Sequence, residues 1–181
     1  MKQVGLAFSM FHGDNGGASP FYATNSPAYR NSTSAWIHFQ AMSNQLASIQ
    51  VLLCPSDITR LNRKAFPMDF SASKTGFANP IAQNSTLSYF VNLAPDETNP
   101  QTILTGDRNL APATNAAPYS SVTTGGPITV PPTAAWSQLP AFRIHPYGGN
   151  IALADGSVQQ FNSQSISNRL IGSTNLILFP Q

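Results

Sequence analysis

Arg143–Asn162 reads RIHPYGGNIALADGSVQQFN. Apolar residues alternate on either side of Asp155-Gly156, and a histidine precedes that pair by nine intervening residues. Asp-Gly between two alternating runs predicts a β-hairpin with a two-residue type I′ turn, because that turn needs positive φ at both central positions. In that register Ala154 lies opposite Ser157 and Leu153 opposite Val158. Ile151, Leu153 and Val158 then share the face that packs on the core.

His145 and Asp155 invite a catalytic reading, with the aspartate orienting an imidazole base. Geometry opposes it. An extended Asn150–Asp155 covers roughly 17 Å at about 3.3 Å per residue. A turn at PYGG brings His145 back beside Asn150, at the end of the strand remote from Asp155. The residues read better as having separate jobs. Asp155 accepts local backbone hydrogen bonds in the turn, and His145 bonds a backbone carbonyl or packs beside the sheet. A His/Asp pair is also too thin for zinc or calcium. Asp96, Glu97 and Asp107 offer oxygens for a calcium ion, but no spacing requires one, so a metal is left open.

Outward from the hairpin, helical and strand periods alternate. Met1, Val4, Phe8 and Phe11 form one helical stripe that Gly13 and the following DNGG stop. Residues 14–31 read as loop. Ala35, Phe39, Met42 and Leu46 predict a second helix from Thr33 to Ala47, with His38 at the exposed edge of its stripe. IQVLLCPSD reads as a short buried strand ended by Pro55. TLSYFVNL alternates cleanly, with Leu87, Tyr89, Val91 and Leu93 on one face. QTILTGDRNL supplies another strand, SQSISNRLI a short helix ended by Gly172, and TNLILFP a terminal strand. Residues 57–85 give only weak turn signals around Pro67, Gly76 and Pro80, and 111–140 are long, irregular and rich in Pro, Thr and Ser. The sum is an α+β fold, with an N-terminal helix packed on an antiparallel sheet and long polar loops.

Composition narrows the function classes. The chain has 181 residues, 41% hydrophobic and only 9% charged, against about 25% charged in typical soluble domains. One domain spanning 1–181 can bury a real core at this length. The nine basic residues are scattered, with Arg60, Arg63 and Lys64 as their one cluster, which is too thin for a nucleic-acid footprint. No run approaches the ~18 apolar residues of a membrane span. Cys54 is the single cysteine; it allows no intrachain disulfide, and it reads as a buried thiol. No GxSxG, HExxH or glycine-rich phosphate loop occurs.

Taken in order, several stretches are similar to one family. His145, nine residues and Asp155-Gly156 resemble the H-X9-DG signature of prepilin-type proteins, which are pseudopilin-like proteins of type II secretion abundant in planctomycete and verrucomicrobial bacteria. MKQVGLAFSMFHGDNGG resembles the LKQIGLA segment that follows the family's membrane helix. VLLCPSD resembles its Cys-Pro-Ser-Asp stretch, and LSYFVNL, DETNPQTILTGDRNL and TNLILFPQ agree with its verrucomicrobial branch. The resemblance implies a pilin-like head with a structural rather than catalytic role, in contact with other pilin-like subunits or secreted cargo. It also implies an extracytoplasmic place, at the periplasmic face of the inner membrane or the cell surface; no cofactor is expected beyond the calcium ion left open above. Residues 1–13 would be the remnant of the family's long helix. The leader, the prepilin-peptidase site and the apolar half of that helix are not in the sequence, so membrane attachment would come only through that missing segment. The family often carries a cysteine just before this segment, which implies a disulfide from it to Cys54.

Two other readings compete. A free-standing extracytoplasmic glycan- or peptide-binding module would stack sugars on Trp36, Trp136 and Tyr147. A hydrolase would use His145 with Asp155.

Overall fold

The computed structural model describes residues 1–22, 32–61, 69–71, 83–96, 98–121, 126–171 and 175–180. Arg63, Lys64, Pro67, Gly76, Pro80, Glu97 and Gly172, named above, lie outside them.

The N-terminal stripe forms helix α1 (Lys2–Asp14), which buries Val4, Ala7, Phe8 and Phe11. The second stripe is interrupted. It gives α2 (Ala35–Ala41) and α3 (Ser43–Leu46), parted at Met42, rather than one helix from Thr33 to Ala47. Ser43 and Asn44 sit at the break, and such side chains compete with the backbone for hydrogen bonds inside helices. His38 corrects the sequence-based expectation: it is fully buried. Its Nε2 faces the Ser32 carbonyl at 3.1 Å. The apolar run after α3 is not a strand either. Ile49–Leu52 is a 3-10 turn, whose i, i+3 spacing buries Ile49 and Leu52 together. A short apolar run serves either purpose, and period alone does not separate them. A one-turn helix α4 (Ile58–Leu61) and a 3-10 turn (Gln83–Thr86) follow.

The remaining elements build the sheets. Strands β1 (Tyr89–Asn92), β2 (Ile103–Asp107), β3 (Leu110–Ala111), β4 (Ile128–Thr129), β5 (Ala135–Trp136), β6 (Gly148–Leu153) and β7 (Val158–Asn162) precede helix α5 (Ser163–Leu170) and strand β8 (Leu176–Leu178). Six strands form one sheet in the order β4-β8-β1-β2-β6-β7, and β3 pairs with β5 separately. Every pairing among the described residues is antiparallel. The fold is therefore mixed helix and antiparallel sheet, as expected. The irregular 111–140 region hides the short β4 and β5.

The large sheet is covered on both faces. Alternation along β1 sends Tyr89 and Val91 toward α1, α2 and α3, with Phe8, Phe39 and Met42. It sends Phe90 the other way, onto Ile103, Trp136, Ile151, Leu153, Ile166 and Leu170. A cavity left at Phe8 would cost about 3–5 kcal/mol. At β6 the backbone approaches the second layer so closely that a Cβ on Gly149 would lie 2.6 Å from the Trp136 ring. α1 lies on the first face, where a Cβ on Gly5 would meet Ala152 at 3.2 Å. No helix among the described residues is long and apolar enough to cross a membrane.

The hairpin forms, in a different register. Ala152, not Leu153, pairs with Val158. Gly156 N donates to the Leu153 carbonyl at 3.0 Å, and Leu153 N donates to the Ser157 carbonyl at 2.9 Å. Gly156 alone has positive φ, at 79°; Asp155 does not. The reversal is thus a three-residue loop ending in a glycine bulge rather than a type I′ turn. The one-residue change moves Val158 to the face opposite Ile151 and Leu153, where it is half-buried.

Candidate functional site

The polar side chains that matter converge on the α1 face of the sheet. Asp107 ends β2 and pairs with Tyr89 across to β1. On its other side Gly106 pairs with Ile151, which brings Asn150 level with Asp107. Asn150 uses that placement fully: its backbone N donates to Asp107 Oδ2 at 2.6 Å and its Nδ2 to the same oxygen at 3.2 Å.

His145 reaches the cluster through the turn that precedes β6. It bridges to Gly148, with Pro146 and Tyr147 at the corner. Tyr147 has φ of 62°, a position that glycine or asparagine fills without strain. The turn places His145 beside Asn150, as the sequence spacing predicts, with Nδ2 2.9 Å from Nε2. Among the described residues neither a backbone carbonyl nor Asp155 bonds its ring, which packs beside the sheet. Asp155 sits at the opposite end of β6, exposed, where its Oδ1 accepts from Ser157 N at 2.8 Å.

Cys54 arrives from the loop after the 3-10 turn. Ser88 holds it there: Ser88 Oγ accepts from Cys54 N at 2.9 Å, while Ser88 N donates to the Leu52 carbonyl at 3.0 Å. The thiol is buried and unbridged, with Sγ 3.4 Å from His145 Nε2. The same loop is clamped three residues on. Arg108 Nε and Nη2 each lie 2.7 Å from Asp57, on Oδ2 and Oδ1, both side chains being buried. Thr59 Oγ1 also donates to Asp57 Oδ1 at 2.8 Å.

Burial governs the electrostatics. It pushes the Asp107 carboxyl up to about 7, against the opposing hydrogen bonds from Asn150. It pushes the Cys54 thiol up and the His145 imidazole down, and raises the Tyr89 phenol, with Cys54 and Asp107 adding to that rise. For Asp57, burial works upward but the Arg108 hydrogen bonds and charge prevail, and its carboxyl ends below the usual range. His145 Nε2 lies 3.5 Å from Asp107 Oδ2. With the imidazole uncharged at neutral pH, that contact is not an ion pair. Nε2 acts as acceptor to the Asn150 amide, so the ring proton resides on Nδ1.

No protein-family model, curated protein or solved structure matches the chain.

A thiol, an imidazole and an amide suggest a cysteine nucleophile with its base and orienter. The arrangement does not suit that task. A triad places the nucleophile and the orienter on opposite ring nitrogens, whereas here Sγ, Asn150 Nδ2 and Asp107 Oδ2 all gather at Nε2. An activated thiol also needs a lowered pKa, and this one is raised. The His145–Asp155 hydrolase arrangement is not formed. Of the calcium oxygens, Asp96 is exposed and accepts from Thr98 N at 3.1 Å and Thr98 Oγ1 at 2.6 Å, and it is not part of the Asp107 cluster. Trp136 is completely buried, so it offers no stacking face to a sugar.

Sequence reasoning picked out Cys54, His145 and the Asp155-Gly156 turn, but missed Asn150, Asp57 and Arg108. The signal was the local density of polar residues in CPSD, TGDRN and HPYGGN, three stretches with no shared period.

Proposed function

We propose that the chain is the head of a pilin-like structural subunit, a pseudopilin of a secretion or pilus-like assembly, and not an enzyme. The observation that carries this is helix α1. It lies across one face of an antiparallel sheet through Val4, Ala7, Phe8 and Phe11, while Leu6 and Met10 stay exposed at 58% and 46%. A helix seated by one stripe that still turns two large apolar side chains outward, among the exposed Lys2, Gln3 and Ser9, offers a subunit a contact for its neighbours.

The polar cluster supports the same reading. VLLCPSD, ILTGDRNL and the His145 end of the H-X9-DG segment, three stretches that resemble the family, meet in one polar network that ties loop, strand and turn together. Such a network specifies a fold. The positive charge of the amino terminus acts to lower the pKa of the Asp107 carboxyl, so the start of α1 lies within electrostatic reach of this cluster. In this reading the partners are other pilin-like subunits or exported cargo, and the place is extracytoplasmic. A glycan-binding module is less well supported: with Trp136 buried, Tyr147 is the one strongly exposed ring of the three aromatic candidates.

The test is the reading frame upstream of codon one, together with disulfide cross-linking of Leu6→Cys and Met10→Cys variants in the native cell. An apolar helix behind a prepilin-peptidase site, with cross-linked oligomers, is the expected result. Initiation at Met1 and a monomer with no cross-links would overturn the proposal.

A further inference from the structure

The unexplained atom of the cluster is Asp107 Oδ1. Its carboxylate is completely buried, and Oδ2 takes both Asn150 donors, yet Oδ1 has no hydrogen-bond partner among the described residues. Buried carboxylate oxygens are ordinarily satisfied, and an orphan calls for an explanation such as an ion. Beside the other oxygen of that carboxylate, Oδ2, stands His145 Nε2 at 3.5 Å, with Cys54 Sγ 3.4 Å from the same nitrogen; an ion would take over the Nε2 lone pair from the Asn150 amide.

We propose that Cys54, Asp107 and His145 form a binding site for a divalent transition-metal ion, zinc being the best match. One sulfur, one nitrogen and one oxygen ligand lie within 4.8 Å of one another. A tetrahedral zinc with bonds of about 2.3 Å to sulfur and about 2.0–2.2 Å to nitrogen and oxygen needs ligand atoms roughly 3.3–3.6 Å apart. Two of the three separations fall in that range, 3.4 Å for Sγ to Nε2 and 3.5 Å for Nε2 to Oδ2, and the third, sulfur to carboxylate, lies within 4.8 Å. The donor set is the mixed soft and borderline kind that selects zinc over calcium or magnesium. Calcium would want six or more oxygens, and one carboxylate supplies at most two.

The surroundings have the features of a supported site. Asn150 fixes the carboxylate from two donors, a second layer of the sort that orients ligands. Ser88 and the Asp57–Arg108 pair hold the cysteine loop to the sheet. His145 retains 19% of its side-chain exposure, which leaves a way in from solvent. Three protein ligands are one short of the usual four, so a water completes the shell. The site does not depend on the pseudopilin reading. It does exclude one part of it, since a sulfur in a disulfide cannot also be a thiolate ligand.

The experiment is titration of the whole chain with cobalt(II), under a non-thiol reductant, followed by displacement with zinc. The expected result is one cobalt per chain, with a near-ultraviolet thiolate-to-cobalt charge-transfer band that zinc abolishes. Cys54→Ser removes the band. His145→Ala and Asp107→Asn each weaken zinc binding by more than about 100-fold, and Asn150→Ala by about 10-fold; Asp96→Asn leaves it unchanged. Circular dichroism checks that each variant folds, and where one does not, the band of the unaltered chain decides. A folded chain with a titratable thiol that gives no band at excess cobalt overturns the proposal. So does a band that survives both His145→Ala and Asp107→Asn unchanged.

Discussion

The two ends of β6 carry the two halves of one sequence signature and behave as opposites. At the Asp155-Gly156 end every polar bond is short-range or to backbone, and the carboxylate is in water. At the His145 end the bonds join residues 91 and 43 positions apart in sequence, and the acid is sealed from solvent. Sequence proximity within a motif therefore says little about shared work. One end shapes a turn; the other fastens three distant stretches together.

The largest effect should come from loosening the fastened end. Arg108→Ala strips the partner from a buried Asp57 carboxylate that Arg108 holds bidentately. Loss of one member of such a pair costs about 3–5 kcal/mol, measurable by urea unfolding at pH 7. A loss no greater than that of a surface substitution would mean the clamp is not needed.

His38 sharpens the contrast as a buried histidine without a polar cluster. Burial lowers its pKa to about 4, against the opposing hydrogen bond to Ser32. The unfolded chain, near 6.5, takes up a proton that the folded chain refuses, so stability is full above about pH 6.5 and falls as pH drops toward 4. The loss is about 2 kcal/mol by pH 5 and about 3 kcal/mol in full. Urea midpoints of wild type and His38→Gln should converge as the pH is lowered; parallel profiles would refute the assignment.

The turn end should respond more weakly. Gly156→Ala forces a side chain into φ of 79° with open space around it. The cost is backbone strain of about 1–2 kcal/mol. Asp155→Ala loses one local hydrogen bond in solvent and should have the smallest effect of the set, leaving the His145 end untouched by NMR chemical shift.

Much of the architecture was legible because period is local. The stripe Val4, Phe8, Phe11 dictated α1, alternation from Leu87 to Leu93 dictated β1, and Asn162, whose Oδ1 accepts from Ser165 N at 2.8 Å, caps the predicted α5. What failed was decided by tertiary packing. IQVLLC is apolar enough for a strand but has to turn to bring Ile49 and Leu52 into one core. The Asp-Gly reversal closes over three residues where two were expected, because only glycine enters positive φ there. His38 is buried by neighbours that its own helix does not reveal. The cluster was illegible for a related reason: Cys54, Asp107 and His145 are assembled by strand order, and no spacing in the chain announces that β2 lies between β1 and β6.

The central claim is that His145 works with the residues of the buried cluster and not with the aspartate of its own signature. Paired double-mutant cycles, run with chelator present, test it most directly: His145→Ala with Asn150→Ala, and His145→Ala with Asp155→Ala. The first pair should show a coupling of about 0.5–3 kcal/mol, and the second should be additive. Additivity in the first and coupling in the second would contradict the claim.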